Sequence, residues 1–160
     1  MTKIYVATFF FDVAGFEYTE KMAQQIKSRF PTVEPYLPQR NAAINDKKKN
    51  DKTITSEKIY TNDTEELLSS DILIAGIDGV EIDSGVSCEI GIAAGWNEAV
   101  KMGHQGKPIH IIGFYTDMRQ FGTGENRLYR NLFVTGAIEQ FGIIVRSLDE
   151  LLIALMDYMD

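Results

Sequence analysis

The segment from Asp71 to Gly79, DILIAGIDG, limits what this chain can fold into more than any other stretch. Ile72, Leu73, Ile74, Ala75 and Ile77 leave no polar alternation, so a strand here must be covered on both faces. Such strands belong to parallel sheets with helices on either side. The run Ile4–Phe11 and the IHIIGFY run after Lys107-Pro108 have the same character, and shorter strands are expected at Val33–Leu37 and Gly142–Val145. Between them, apolar residues fall at helical spacing in Phe16–Phe30, which Pro31 ends, in Thr53–Ser70 and in Val86–Val100. Part of Asn126–Gln140 reads as helix, as does Leu148–Tyr158, with Ser147 as N-cap and Glu150 at the capping-box position. Strand and helix thus alternate about five times, which predicts an α/β chain with a parallel sheet and helices on both faces. The polar stretch QRNAAINDKKKNDK, Gln39–Lys52, reads as a surface loop placed where it could close over a ligand, with Lys47-Lys48-Lys49 solvated.

At 160 residues one domain is expected, spanning 1–160. The formal charge of −7 argues against a nucleic-acid partner, because phosphate binding needs a basic face. Cys88 is the single cysteine, which excludes an intrachain disulfide and a thiolate zinc site and suggests a reducing compartment. No run approaches the ~18 apolar residues of a membrane span, and no leader precedes the first strand. A cytoplasmic protein without a membrane partner is expected.

Ligands of such folds sit beyond the carboxyl ends of the strands. That directs attention to Thr8–Asp12, Pro38–Asn41 and Asp78–Glu89. Glycine-rich phosphate loops of the GxGxxG and GxxxxGK[ST] kinds are absent from the sequence, as is a GxSxG nucleophile elbow. His104 and His110 fall in a Gly-rich loop and an apolar strand, where a structural role is expected. No metal and no cofactor is called for. Carboxylates remain: Asp63, Asp78, Glu81, Asp83 and Glu89. Glu81 reads as a solvated loop acid. Glu89 precedes IGIAAGW, almost wholly apolar, so its carboxylate is expected to be partly buried, and a buried carboxylate needs a partner or a purpose. Glycosyl transfer uses such groups: one ionised carboxylate attacks or stabilises an oxocarbenium-like carbon, and a second acid protonates the leaving group. The helix N-terminus is expected to keep the attacking group ionised, while crowding by a second acid raises one pKa.

The segment IDGVEIDSGVSCEIGIAAG resembles the D-x-G-x-x-x-E-x-G signature of the nucleoside 2-deoxyribosyltransferase family, with Asp83, Gly85, Glu89 and Gly91 in its fixed positions. KIYVATFFF is similar to that family's first strand, with Tyr5 in the place of its tyrosine. NDTEELLSSDILIAGI resembles its helix-to-strand passage, which places Asp63, and Asn131-Leu132-Phe133 is similar to its Asn-Leu-Met segment. The resemblance implies a single-domain, flavodoxin-like (Rossmann-type) three-layer fold with about five parallel strands. It implies transfer of the 2-deoxyribosyl group between nucleobases, so deoxynucleosides and nucleobases are the expected small-molecule partners. Glu89 would form a covalent glycosyl ester, Tyr5 would hold its carboxylate, Asp83 would grip a sugar hydroxyl and Asp63 would handle the proton of the base; the last two roles could be exchanged. Phe9, Phe10 and Phe11 would wall the base, core packing being the alternative for each ring. Gly85 and Asn41 would complete the substrate site, with Gln39 as a second candidate beside Asn41. Asn131 would reach a neighbouring subunit's site, which implies a homo-oligomer with shared active sites. An apolar stripe of Leu128, Leu132, Phe133 and Ile138 would face that neighbour or the chain's own sheet.

Two departures bear on substrate. The loop QRNAAIND does not reproduce the Asp-Asn-Gln sequence of some members, and FFFDVAGF lacks the Ser/Arg/Gly-rich phosphate loop of the nucleotide-hydrolysing branch, which favours a nucleoside over a nucleotide. The alternatives are a deoxynucleoside or deoxynucleotide N-glycosidase, ending the same chemistry in water, and a non-catalytic nucleotide-binding module, which the presence of Glu89 disfavours.

Overall fold

A computed structural model of the chain describes residues 1–42, 53–121 and 130–159. Five strands, β1 (Thr2–Ala7), β2 (Val33–Tyr36), β3 (Ile72–Gly76), β4 (His110–Phe114) and β5 (Gly142–Val145), form one parallel sheet in the order β2-β1-β3-β4-β5. The described residues also hold five α-helices, α1 (Val13–Arg29), α2 (Ser56–Leu68), α3 (Ser84–Lys101), α4 (Leu132–Phe141) and α5 (Leu148–Met159). This is the flavodoxin-like strand order, whose winding reverses between β1 and β3 and opens a crevice at their carboxyl ends.

Alternation along the strands divides the core into two layers. Ile4, Val6, Ile72, Ile74 and Ile112 point to the layer shared with Met22 and Ile26 of α1 and Leu151 and Leu155 of α5. Tyr5, Ala7, Leu73, Ala75 and Ile111 point the other way, onto Leu67 of α2, Val86, Ile90 and Ala93 of α3 and Ile138 of α4. A tyrosine at position 5 is therefore committed by strand period to the α3 side, where its hydroxyl needs a buried partner.

Polar anchors set α3 against the sheet. Fully buried Asn97 donates from Nδ2 to the Ile109 carbonyl (2.7 Å) and accepts from the Ile109 amide (2.7 Å), doing for the entry to β4 what a further strand would do. Trp96 Nε1 donates to the Lys107 carbonyl at 2.8 Å. Gly142 opens β5 opposite Ile111, where a Cβ would fall 1.8 Å from the Ile111 carbonyl oxygen; only glycine fits that approach.

The expected elements recur with shifted ends. β1 stops at Ala7 rather than running to Phe11. Asp12 Oδ1 accepts from the Gly15 amide at 2.6 Å to cap α1, and a Cβ at Gly15 would lie 2.5 Å from the Phe9 carbonyl oxygen, so Thr8–Asp12 must leave the sheet to make this tight turn. α2 starts at Ser56 behind Thr55, whose hydroxyl accepts from the Lys58 amide. Ser147 caps α5 as expected, accepting from the Glu150 amide at 3.1 Å, but the Glu150 carboxylate reaches back to the Arg146 amide (2.6 Å) and not to that of Ser147. Lys47-Lys48-Lys49, Leu128 and the start of the Asn126–Gln140 segment lie outside the described residues, as does most of the expected Gln39–Lys52 loop.

Candidate active site

The hydroxyl of Tyr5 finds its partner in Glu89: Tyr5 Oη donates to Glu89 Oε1 at 2.5 Å. Tyr5 is 0% exposed, and burial, followed by the neighbouring Glu89 carboxylate, holds the phenol proton far above its ordinary pKa. It is a fixed donor.

Glu89 is delivered by the start of α3. Asp83 is the N-cap, and its Oδ1 accepts from the Gly85 amide (2.9 Å) and the Val86 amide (3.1 Å). A Cβ at Gly85 would stand 3.1 Å from that same oxygen, so glycine lets the carboxylate fold over the helix end. The Asp-x-Gly half of the motif thus builds a cap. Upstream, Asp78 accepts from Thr116 N (2.6 Å), Thr116 Oγ1 (2.6 Å) and Asp117 N (2.7 Å), and Arg130 Nη1 donates to the Gly79 carbonyl (2.7 Å). Gly79 takes φ +96°, a backbone setting that favours glycine. The β3–α3 turn is therefore pinned on both sides.

Gly85, Cys88, Glu89 and Ile92 face Tyr60, Asp63, Thr64 and Leu67 of α2 across a cleft of about 150 Å3. Burial pushes the Glu89 carboxyl up to about 7; the Tyr5 hydrogen bond opposes that rise, and Asp63 and then Asp83 add to it. The expectation that the helix N-terminus keeps Glu89 ionised is corrected by this, because desolvation outweighs the favourable contacts. Burial, then Glu66, raises Asp63 to about 6, and its Oδ1 is buried without a hydrogen-bond partner. Two carboxyls titrating near neutrality in one cleft can hold and exchange a single proton.

Tyr36, which the sequence reading did not single out, packs against Tyr5. Its ring lies 5.4 Å from that of Tyr5, and Asn41 Nδ2 donates to its hydroxyl at 2.9 Å. Asn41 thus reaches Tyr5 through the Tyr36 ring that packs on it. Gln39 instead donates to Glu20 on α1.

The family model for nucleoside 2-deoxyribosyltransferases matches residues 4–147. The chain belongs to the nucleoside 2-deoxyribosyltransferase family. Among solved structures it is similar to a conserved protein from Enterococcus faecalis V583, at 36% identity and a TM-score of 0.83, covering 99% of both chains. A 2-deoxyribosyltransferase from Bacillus psychrosaccharolyticus shares the fold at 19% identity and TM-score 0.55, covering 94% of this chain and 90% of that one. So does a CMP N-glycosidase from Clostridium botulinum, at 18% identity and TM-score 0.53, covering 98% and 99%. A search among curated protein sequences returns no match.

The remaining expected site residues of this family member are spread more widely. Phe9 lines a cavity of about 540 Å3 beside Asp83, while Phe10 and Phe11 stack on each other (4.8 Å) and Phe11 is 74% exposed. Of the three rings, Phe9 is the one that lines this cavity, because the segment turns out of the sheet after Ala7. Asn131 Oδ1 accepts from the Phe133 amide (3.0 Å) and the Val134 amide (3.3 Å) as the N-cap of α4. The apolar stripe splits: Ile138 is buried on the chain's own sheet, whereas Leu132 is 82% and Phe133 89% exposed. His110, half-buried and stacked on Tyr158, and His104, against Trp96, sit away from this cleft. No group of three or more His, Cys, Asp or Glu among the described residues is placed to hold a metal ion, and no helix there is long and apolar enough to cross a membrane.

A folded pKa near 7 against an ordinary 4.5 means that the folded chain binds the Glu89 proton more tightly than the unfolded chain does. That contribution to stability is complete below about pH 4.5 and is lost as pH rises through about 7. Glu89→Gln should therefore melt several degrees above wild type at pH 8, with the gap closing towards pH 5. A gap independent of pH, measured by calorimetry, contradicts the burial of this carboxyl.

Proposed function

We propose that this chain moves 2-deoxyribosyl groups between nucleobases through a covalent ester on Glu89. The Tyr5–Glu89 hydrogen bond, in a cleft that also holds Asp63, carries the reading. Tyr5 fixes Oε1 and leaves Oε2 to attack the anomeric carbon. The C–N bond to the base breaks as the Glu89 C–O bond forms, and Asp63 gives its proton to the departing base. An incoming base then displaces Glu89, returning its own proton to Asp63, and two inversions give retention. Asp83 grips a sugar hydroxyl from the helix end, Gly85 keeps that end open, and Asn41 and Tyr36 face the base. The productive form carries one proton across Glu89 and Asp63, so the rate should peak between about pH 6 and 7.

One chain is the unit, a single domain over 1–160, in keeping with a match over residues 4–147. Exposed Leu132 and Phe133 beside Asn131, and an open cleft at Glu89, support a homo-oligomer in which a second copy covers the site. Because Asn131 Oδ1 is taken by its own helix, only its Nδ2 donor serves the neighbour's sugar. A lone exposed Cys88 fits a cytoplasmic setting.

Incubation with deoxyadenosine, with and without cytosine, tests the activity. A new deoxynucleoside supports transfer; free sugar alone indicates hydrolysis; no change favours a binding module. Glu89→Ala should lose several orders of magnitude in rate, on the order of 4 kcal/mol or more, while circular dichroism keeps the fold. Near wild-type exchange in that variant would sink the assignment.

Subunit exchange tests the shared site. Asn131→Asp retains the cap and removes the donor. Mixed with Glu89→Ala, it should give activity above the mean of the two parents, since some interfaces then join an intact Glu89 to an intact Asn131. Strictly additive activity in demonstrably mixed oligomers, or a fully active monomer by light scattering, overturns the claim.

A further inference from the structure

A second, roomier cavity lies beside the nucleophile and not over it. Its volume of about 540 Å3 is in the range of small-molecule sites, and Glu89 is not among its walls. Phe9, Tyr18 and Phe114 give it aromatic sides, with the rings of Tyr18 and Phe114 stacked at 6.2 Å and 14°. Among the described residues its ionisable lining, apart from Tyr18, is Asp12, Asp78, Glu81 and Asp83, with no Lys, Arg or His.

Two helices begin at its rim, α1 behind Asp12 and α3 behind Asp83. Helix N-termini ordinarily receive phosphate groups through free amides. Here the capping carboxylates already hold three of those amides: Asp12 holds Gly15 N, and Asp83 holds Gly85 N and Val86 N. A phosphate seeking these amides would have to displace a capping carboxylate, and anywhere in the cavity it would sit among four carboxyl groups against poorly polarisable walls. An uncharged or cationic group meets neither obstacle, and the aromatic sides offer it stacking or cation–π contact.

Asp83 joins this cavity to the reaction site, because it lines the one and caps the helix that carries Glu89 in the other. If the sugar lies between Glu89 and Asp83, its exocyclic 5′ carbon is its outermost atom, and a group attached there has the cavity before it. We propose that this cavity is a subsite for a neutral or cationic 5′ substituent of the deoxynucleoside and that it refuses a 5′-phosphate. The proposal rests on the deoxyribosyl-transfer reading above and adds the substrate class to it.

The test compares deoxyadenosine, its 5′-propylthio and 5′-amino analogues and its 5′-monophosphate, by base exchange and by calorimetric binding. Both analogues should match deoxyadenosine within a few-fold in kcat/KM, and the monophosphate should fall at least tenfold below it. Asp12→Ser keeps a helix cap and removes one carboxylate, so it should raise the monophosphate relative to deoxyadenosine by threefold or more. A monophosphate handled as well as deoxyadenosine overturns the proposal, as do analogues that lose tenfold or an unchanged ratio in Asp12→Ser. A protein that exchanges no base yet binds the analogues in preference to the monophosphate keeps the subsite and defeats the transfer reading; absence of binding by all four ligands overturns the subsite as well.

Discussion

A phenol placed inside a parallel sheet's core must have an acceptor, and the bond from Tyr5 to Glu89 answers that requirement. Strand period sends Tyr5 to the α3 face, parallel pairing sets Tyr5 opposite both Leu73 and Tyr36, and α3 must then present a carboxylate at that depth. The cost of burying the carboxylate appears as the raised pKa of Glu89. A group that resists ionisation when desolvated is a better nucleophile once it ionises, and the donor that fixes one oxygen orients the other.

The turn that leads into α3 is built to hold this pair in register. Asp78 and Arg130 bind it to the segment after β4 and to the start of α4, with the Arg130 guanidinium over the Tyr115 ring at 4.4 Å and close to Asp117. Asp83 and Gly85 then start the helix at a fixed point. Rigid placement matters because catalysis falls steeply with small displacements of the reacting groups. The same turn forms one wall of the large cavity, so one structural unit borders both the cleft at Glu89 and that cavity.

Much of this was legible in the sequence, and the limits are physical. Uninterrupted apolar runs gave away β1, β3 and β4, because only doubly covered strands tolerate them. The end of β1 was not legible: Phe9, Phe10 and Phe11 suit a strand as well as a packed turn, and the tight backbone approach at Gly15 that decides between them is silent in composition. The apolar run after Glu89 announced its burial and the family motif named Tyr5, but that desolvation outweighs the helix N-terminus and the Tyr5 hydrogen bond depends on packing that no local pattern encodes. Asn131 points to two roles at once, since a residue suited to a sugar hydroxyl is also a preferred cap for the apolar helix behind it. Tyr36 was missed because a four-residue edge strand with a proline carries little pattern; its signal was the pairing that sets it level with Tyr5.

The central claim is that the Glu89 carboxylate, held by Tyr5, becomes covalently attached to the sugar. The most direct measurement is acid quenching of the enzyme during turnover of deoxyadenosine without an acceptor base, followed by proteolysis and mass spectrometry. The account predicts one deoxyribosyl group on the peptide that carries Glu89, and its loss when cytosine is added before the quench. Base exchange proceeding while that peptide stays unmodified, or a sugar attached at another residue, would contradict it.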